Sequence, residues 1–141
     1  MQISKAKLVT VTACAVVLLY VLIVIGFEIG LRVLQPTWKG TLVLTTTDSE
    51  GRQFERVISG LRYDNALYIR ANHWPREWYY QALGNPEVLI DLGKGAMPYF
   101  AVLVTGEEEK RVNARHGILF KWRFLTGFPP LKIMRLDPAK D

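Results

Sequence analysis

The sequence is poor in the side chains that form disulfides and metal sites, because it has one cysteine, Cys14, and only two histidines. A disulfide framework or a structural zinc site needs several cysteines, or cysteines and histidines close together, so neither is expected. The chain also lacks internal repeats, low-complexity runs and the pattern of a catalytic triad. These absences exclude metal-centred and disulfide-rich classes of protein.

The chain also lacks a large excess of charge of either sign. The formal net charge is +5, and residues 36–141 carry 15 lysines and arginines against 12 acidic residues. A nucleic-acid-binding domain usually presents a denser basic face, so nucleic acid is not predicted as a partner. A mildly basic domain suits a small anionic ligand or an anionic lipid surface.

What the sequence does contain is an uninterrupted, uncharged apolar stretch at residues 8–27, LVTVTACAVVLLYVLIVIGF. A helix needs about 20 such residues to cross the hydrocarbon core of a bilayer. A cleaved signal peptide would have a shorter apolar core followed by a cleavage site, whereas the sequence after Phe27 continues a helical pattern. We therefore predict an uncleaved membrane anchor over residues 1–36 and one small domain over residues 37–141.

The charges that flank the apolar stretch predict its orientation. Lys5, Lys7 and the α-amino group precede the stretch, whereas Glu28, Arg32 and Lys39 follow it and nearly cancel. The positive-inside rule then favours a cytoplasmic N-terminus. The expectation is a single-pass protein of the cell (inner) membrane with its domain on the far side.

Strand-like segments alternate along the domain with turn signals at Asp48-Ser49-Glu50-Gly51, at Tyr63-Asp64-Asn65 and at Gly93-Lys94-Gly95. Segments rich in β-branched or alternating residues predict strands at residues 41–47, 53–59, 66–69, 87–92, 99–104 and 131–136. A first helix is predicted to begin at Pro75 and end at Gly84, with Trp74, Trp78 and Ala82 on one face. A second is predicted from a capping-box pattern at Thr105 toward Trp122, with Gly117 a weak point. The predicted class is α+β: an apolar anchor helix, then a small, partly open antiparallel barrel with two packed helices.

Three parts of the domain resemble one family. Residues 71–88 contain Asn72, Pro75, Trp78-Tyr79 and an Asn-Pro-Glu-Val strand entry at residues 85–88. Upstream, Thr46-Thr47 leads into Gly51-Arg52 and then Arg56, and the chain closes with Leu136-Asp137-Pro138. These motifs resemble the deazaflavin-dependent nitroreductase and quinone reductase family. The resemblance covers residues 41–138 and implies a split β-barrel related to flavin-binding proteins.

The resemblance also implies a site for a deazaflavin coenzyme, with FMN, or no cofactor, as the alternatives. It assigns the cofactor phosphate to Arg52 and Arg56, an anion-binding loop to Asn72 and His73, the ring walls to Trp74 and Trp78, and hydrogen-bond donation to Tyr79 as the catalytic residue. From the residues alone, five of these residues have a plainer interpretation: a solvated hairpin tip for the arginines, a helix cap or a packed ring for His73, and core packing for the tryptophans. Arg115, Lys121 and Arg123 suit an acidic cofactor tail, a solvated helix face or lipid headgroups.

Two functions follow from the resemblance and its departures. The first is a membrane-anchored oxidoreductase that passes a hydride to a lipophilic acceptor such as a quinone. The second is a non-catalytic membrane-anchored module that binds a partner or assembles a complex. The second is motivated by Gln53-Phe54-Glu55, which replace the Ser-Gly that family members place after Gly-Arg, and by an external domain, because reduced deazaflavin is expected in the cytoplasm. Assembly as a homodimer or in a larger membrane complex is left open.

Overall fold

A computed structural model describes residues 4–34, 40–71, 74 and 77–139 of the chain. Its helices are α1 (Lys5–Leu34), α2 (Glu77–Gly84), α3 (Gly106–Arg115) and α4 (Phe120–Leu125). Its strands are β1 (Thr41–Thr47), β2 (Gln53–Tyr63), β3 (Ala66–Ala71), β4 (Glu87–Asp91), β5 (Ala96–Val104) and β6 (Lys132–Pro138). The predicted α+β class is confirmed, with a long apolar helix preceding an antiparallel barrel.

The six strands form one closed barrel in the order β1-β2-β3-β6-β5-β4, and every neighbouring pair is antiparallel. The prediction of a partly open barrel is therefore wrong. Closure comes from a short ladder between β1 and β4, in which Val43 pairs with Asp91 and Thr45 with Leu89. This ladder satisfies the backbone groups that two sheet edges would otherwise leave unpaired.

β2 is longer than predicted, because it continues through Gly60 to Tyr63. The Gly60 amide donates a hydrogen bond to the Gly40 carbonyl at 2.8 Å. A Cβ at Gly60 would lie 3.0 Å from Leu42 Cδ2, so the absence of a side chain lets this strand pass close to the core. The predicted turn that follows is confirmed: Asp64 and Asn65 have φ of 49° and 61°, as a two-residue hairpin requires.

The barrel interior forms the main core. Fully buried Leu44, Ile69 and Ile90 face inward, and α2 packs over them with Trp78, Tyr79 and Ala82. Trp74 precedes α2, so it does not share the helix face predicted for it, whereas Trp78 and Ala82 do. Pro75, the predicted start of this helix, lies outside the described residues.

A second core lies outside the barrel, where α3 packs its buried Val112 against Tyr68, Val104 and Ile133. The helix predicted from Thr105 toward Trp122 is two helices, since α3 ends at Arg115 and Gly117 lies in the break. Among the described residues, three short helices therefore accompany the barrel, where two were predicted. Thr105 is the N-cap of α3, but its side chain makes no capping hydrogen bond.

A polar network fastens α3 to the barrel wall. Arg135 donates to both carboxylate oxygens of Glu108 at 2.8 and 3.0 Å, and the Tyr68 hydroxyl donates to Glu108 at 2.9 Å. The Arg70 guanidinium donates to the His116 carbonyl at 2.6 Å, at the end of α3. The hydrogen bond from Arg135 lowers the pKa of Glu108 below its ordinary value. Burial raises the pKa of Tyr68, and the bond to Glu108 raises it further.

The lowered pKa of Glu108 predicts an acid-dependent loss of stability. A carboxyl whose pKa is lower in the folded than in the unfolded protein stabilises the fold above its unfolded value, here near 4.5, and this stabilisation disappears as the pH falls through the folded pKa. Glu108→Gln should therefore lower the free energy of unfolding by about 0.5–1 kcal/mol at neutral pH and by little in acid. Thermal unfolding across this pH range measures the difference. Glu107→Gln, which removes an exposed pair with Lys110, is the matched control, and an equal effect of both variants would contradict the prediction.

Candidate cofactor site

A cleft of about 490 Å³ lies between the end of β1 and the outer side of α2. Its volume falls within the range of about 300–1,000 Å³ that is usual for small-molecule sites. The residues that line it come from the β1–β2 turn and from α2 and its C-terminal end: Thr47, Asp48, Ser49, Glu77, Tyr80, Gln81, Gly84 and Asn85.

The β1–β2 turn is held in place by its own hydrogen bonds. Asp48 Oδ1 accepts from the backbone amides of Glu50 and Arg52, each at 2.9 Å, and Gly51 supplies the positive φ of 81° that the turn requires. Fully buried Thr46, just before the turn, donates to Gln81 Oε1 at 2.6 Å. This bond joins β1 to α2, the two elements that flank the cleft.

Arg52 lies in this turn and is already paired. Its Nε is 2.8 Å from Asp48 Oδ2, and a terminal nitrogen is 3.1 Å from Glu50 Oε2. Burial raises the pKa of Asp48, but the hydrogen bonds from the Arg52 backbone and side chain outweigh that effect, and the net pKa is lowered. The Arg52 side chain is 64% exposed, so a phosphate group can reach it, but must compete with two carboxylates.

Arg56 is the second cation predicted for the cofactor phosphate. It lies on β2 directly opposite Leu44, and Phe54 pairs with Thr46 two residues further along the ladder. Arg56 therefore lies on the same face of the sheet as Thr46, about 7 Å along the strand. Its side chain is half-buried and makes no ion pair within the described ranges, so its charge is more available than that of Arg52.

Trp78 and Tyr79 lie on α2 and belong to the barrel core, with 4% and 5% of their surface exposed. Their rings meet edge to face at 6.1 Å, and Tyr79 makes a similar contact with Tyr80 at 5.4 Å. Burial raises the pKa of Tyr79, and its proximity to Tyr80 and Glu109 adds to the effect. The hydroxyl of Tyr79 is therefore protonated at neutral pH and can donate a hydrogen bond. It uses no acceptor among the described residues.

Of the remaining predicted site residues the structure describes Trp74, which is not among the residues that line the cleft. Trp74 is 51% exposed, and its Nε1 lies 3.5 Å from the position that a Cβ on Gly127, beside α4, would occupy. Asn72 and His73 lie outside the described residues. Of the seven predicted residues, the structure thus places Arg52 beside Asp48 of the cleft wall, Arg56 on β2, and Trp78 and Tyr79 on the inner side of α2.

Several residues that form the cleft were not predicted from the sequence. Asp48 was interpreted only as part of a turn, Tyr80 and Gln81 only as parts of a helix, and Asn85 only as part of the helix end and the strand-entry motif. The proximity of Gln81 to Thr46 depends on a contact between residues 35 positions apart. The one available signal in the sequence was the adjacent pair Tyr79-Tyr80, because neighbouring residues on a helix point to different sides.

The cleft suits part of a deazaflavin or flavin coenzyme. The ring of Tyr80 is 59% exposed and offers an aromatic surface, and Thr47, Ser49 and Asn85 offer hydrogen-bonding groups. The carboxylates of Asp48 and Glu77 suit sugar hydroxyls and disfavour phosphate. Arg52 and Arg56 are the nearby cations for a phosphate. The residues therefore fit such a coenzyme, while among the described residues no group of three His, Cys, Asp or Glu side chains is arranged to hold a metal.

The fold is that of split-barrel proteins. The chain is similar to an F420-H2-dependent reductase, FDR-A, with a TM-score of 0.58 and 16% identity over 70% of this chain and 95% of that one. It is similar to the heme storage protein HutZ from Vibrio cholerae, with a TM-score of 0.57 and 19% identity over 82% and 92% of the two chains. It is also similar to an FAD-binding protein from Mesorhizobium loti, with a TM-score of 0.51 and 14% identity over 72% and 81%.

At these identities the likeness establishes the fold, and the fold agrees with the deazaflavin-dependent nitroreductase-like split barrel that the sequence resembles. No protein-family model and no curated protein sequence matches the chain. The three similar structures carry names that refer to a deazaflavin, a heme and a flavin. The choice among ligands must therefore be argued from the residues of this chain.

Proposed function

We propose that this chain is a membrane-anchored oxidoreductase that transfers a hydride from a reduced deazaflavin coenzyme, or from a flavin such as FMN, to a lipophilic acceptor such as a quinone. The observation that supports this most directly is the closed six-stranded barrel, which shares its fold with an F420-H2-dependent reductase. The bound coenzyme supplies the redox chemistry, and the protein supplies position and electrostatics.

The residues of the chain divide this work between binding and orientation. Arg56, half-buried and without an ion pair in the described part of the chain, neutralises the phosphate, and Arg52 assists at the rim of the cleft. Guanidinium groups suit this role because their planar donors match phosphate oxygens. Tyr80 and the polar groups of the cleft contact the remainder of the coenzyme. Tyr79 is not part of the cleft wall, so its protonated hydroxyl can donate to a carbonyl of the coenzyme or acceptor only if that ligand extends past the cleft to the inner side of α2.

The N-terminal helix gives this activity its location. α1 contains a span, Lys5–Leu31, that is long and apolar enough to cross a membrane. A domain anchored in this way meets an acceptor dissolved in the bilayer at a high local concentration. The same anchor suits a homodimer or a larger membrane complex, which stays a prediction.

Tyr79→Phe should lower the turnover of quinone reduction by roughly 100-fold, the loss typical of removing one donor that stabilises developing charge. The hydroxyl makes no hydrogen bond to any described residue, so its removal should leave the melting temperature nearly unchanged. Steady-state rates with reduced deazaflavin and a quinone in detergent micelles measure the effect. Tyr63→Phe, at the end of β2 and outside the cleft lining, is the matched control, and equal turnover for Tyr79→Phe and the unaltered chain would remove Tyr79 from the mechanism.

A non-catalytic binding or assembly module is the second candidate, and one observation favours it. Arg52 is paired with Asp48 and Glu50, and the cleft wall holds two carboxylates, so the region is less basic than a dedicated phosphate site. A barrel that has lost its coenzyme would retain such pairs for the stability of the turn. Absence of saturable binding of either coenzyme would favour this second function.

A further inference from the structure

α4 and the turn that follows it present an aromatic cluster to the outside of the protein. The cluster consists of Phe120, Phe124 and Phe128, which are 72%, 43% and 43% exposed. Their ring centroids lie 5.7 to 6.5 Å apart, so they form one continuous apolar patch. Leu119, which is 67% exposed, extends it. Soluble surfaces rarely gather large apolar side chains in this way unless something covers them.

The aromatic cluster is continuous with the apolar surface of the anchor helix. Tyr20 of α1 donates from its hydroxyl to the Phe124 carbonyl at 2.9 Å, and the two rings lie 4.8 Å apart. About two turns further along α1, Phe27 meets Trp122 edge to face at 5.3 Å. Beside these contacts, a Cβ on Gly127 would lie 3.0 Å from Val24 Cγ1. α4 therefore packs closely along the last third of the apolar stretch of α1.

The contacts place α4 at a definite depth. Tyr20 precedes Phe27, the last residue of the apolar stretch, by seven residues, which is about 10 Å along a helix. Interfacial helices bury their apolar faces about 5–10 Å into the boundary between headgroups and acyl chains. If α1 spans a bilayer, the aromatic cluster lies at that boundary.

The charges around α4 suit the same boundary. Between Glu109 and Asp137 the sequence has no acidic residue. Lys121 on α4 and Lys132 after it are exposed and make no ion pair within the structure as described. Long basic side chains beside an apolar face reach outward to headgroup phosphates while their stems stay on apolar surface.

We infer that α4 is a second membrane contact, which inserts the aromatic cluster into the leaflet beside α1 and holds Lys121 against anionic lipid headgroups. This inference rests on the membrane anchoring in the proposed function. It requires the barrel to sit directly on the bilayer with a fixed orientation, because two contacts at different points restrict rotation about α1.

The test uses the full-length chain in vesicles of phosphatidylcholine with an anionic phospholipid. Cys14 is replaced by serine, and a nitroxide label is attached at Phe120→Cys or, as a second position, at Phe128→Cys. Glu107→Cys, on the exposed side of α3, is the matched control. Electron paramagnetic resonance then compares the collision rates of the label with oxygen, which concentrates in acyl chains, and with a water-soluble nickel complex.

Labels at residues 120 and 128 are expected to favour oxygen over nickel severalfold more than the label at residue 107. Adding Lys121→Glu should reduce that preference, whereas Lys94→Glu, in the β4–β5 turn, should not. A label at residue 120 that matches residue 107 would overturn the inference. Shielding from both reagents would also overturn it, because a protein partner or second copy would then cover the cluster.

A separate label on the native Cys14 distinguishes failure of the inference about α4 from failure of the membrane anchoring by α1. If the Cys14 label lies in lipid and the Phe120→Cys label lies in water, the inference about α4 fails and the anchor stands. If the Cys14 label lies in water, both fail. Coenzyme binding tests the hydride-transfer function independently of α4. The α4 variants should leave that binding unchanged.

Discussion

Arg56→Ala is expected to weaken binding of the reduced deazaflavin coenzyme by about 10- to 100-fold, since a hydrogen bond to a charged group contributes about 1.5–3 kcal/mol. Arg56 lies on β2 opposite Leu44 of β1, on the face of the sheet that also carries Thr46. It forms no ion pair in the residues described. Its charge is therefore free for a phosphate, and its loss leaves the ligand without a strong partner. Fluorescence titration of the purified chain measures the affinity.

The other arginines supply the controls for this prediction. Arg52→Ala should have a smaller effect, because Arg52 must leave Asp48 and Glu50 before it can bind a phosphate. Arg62→Ala, exposed at the opposite end of β2, should leave affinity unchanged. The double replacement of Arg52 and Arg56 should weaken binding most, without unfolding the domain. Unaltered affinity in the double variant would refute the assignment of both residues to the phosphate.

Leu44→Ala should lower the free energy of unfolding by about 2–5 kcal/mol, the usual result of creating a cavity at a fully buried leucine. Leu44 has no exposed surface and lies inside the barrel, where β1 pairs with both β2 and β4. A void at this point therefore weakens the closure of the barrel as well as the packing under α2. Urea unfolding of the chain in detergent, followed by tryptophan fluorescence, measures the change.

The matched control removes the same atoms from the surface. Leu92, which follows β4, is 43% exposed, so Leu92→Ala should change stability by less than about 1 kcal/mol. The dependence of the unfolding free energy on urea should keep its slope in both variants, because the surface exposed on unfolding is similar. Equal destabilisation by the two replacements would mean that Leu44 does not occupy the core described here.

Local patterns were sufficient to predict most of the elements. The run TLVLTTT gave β1 with its observed bounds, and the turn at Asp64-Asn65 gave the β2–β3 hairpin. The uncharged stretch at residues 8–27 gave the core of α1. In each case the information lies within a few neighbouring residues, as hydrophobic pattern and turn chemistry require.

Closure of the barrel could not be predicted in the same way. The ladder between Val43 and Asp91 joins residues far apart in sequence, and nothing in either strand alone specifies its partner. Gly60 was also missed as part of β2, because glycine disfavours strands. A glycine suits this position because a Cβ would lie only 3.0 Å from the Leu42 side chain. Such features depend on packing, which a pattern of residue types does not contain.

The candidate site was predicted only in part. The Gly51-Arg52 motif lies in the turn that contributes Asp48 to the cleft wall, but the pairing of Arg52 with Asp48 arises from the folded turn. Trp74 was assigned to the helix face of Trp78 from its spacing, but α2 begins after it, and Trp74 contacts the region of Gly127. Spacing predicts a shared face only where the helix already exists.

The most direct test of the proposed function is the absorbance and fluorescence spectrum of the detergent-purified full-length chain, followed by titration with reduced deazaflavin and with FMN. We predict a bound chromophore, or saturable binding of one of the two at micromolar concentration or below, weakened by Arg56→Ala. No chromophore and no saturable binding of either compound would contradict the oxidoreductase and favour the assembly module.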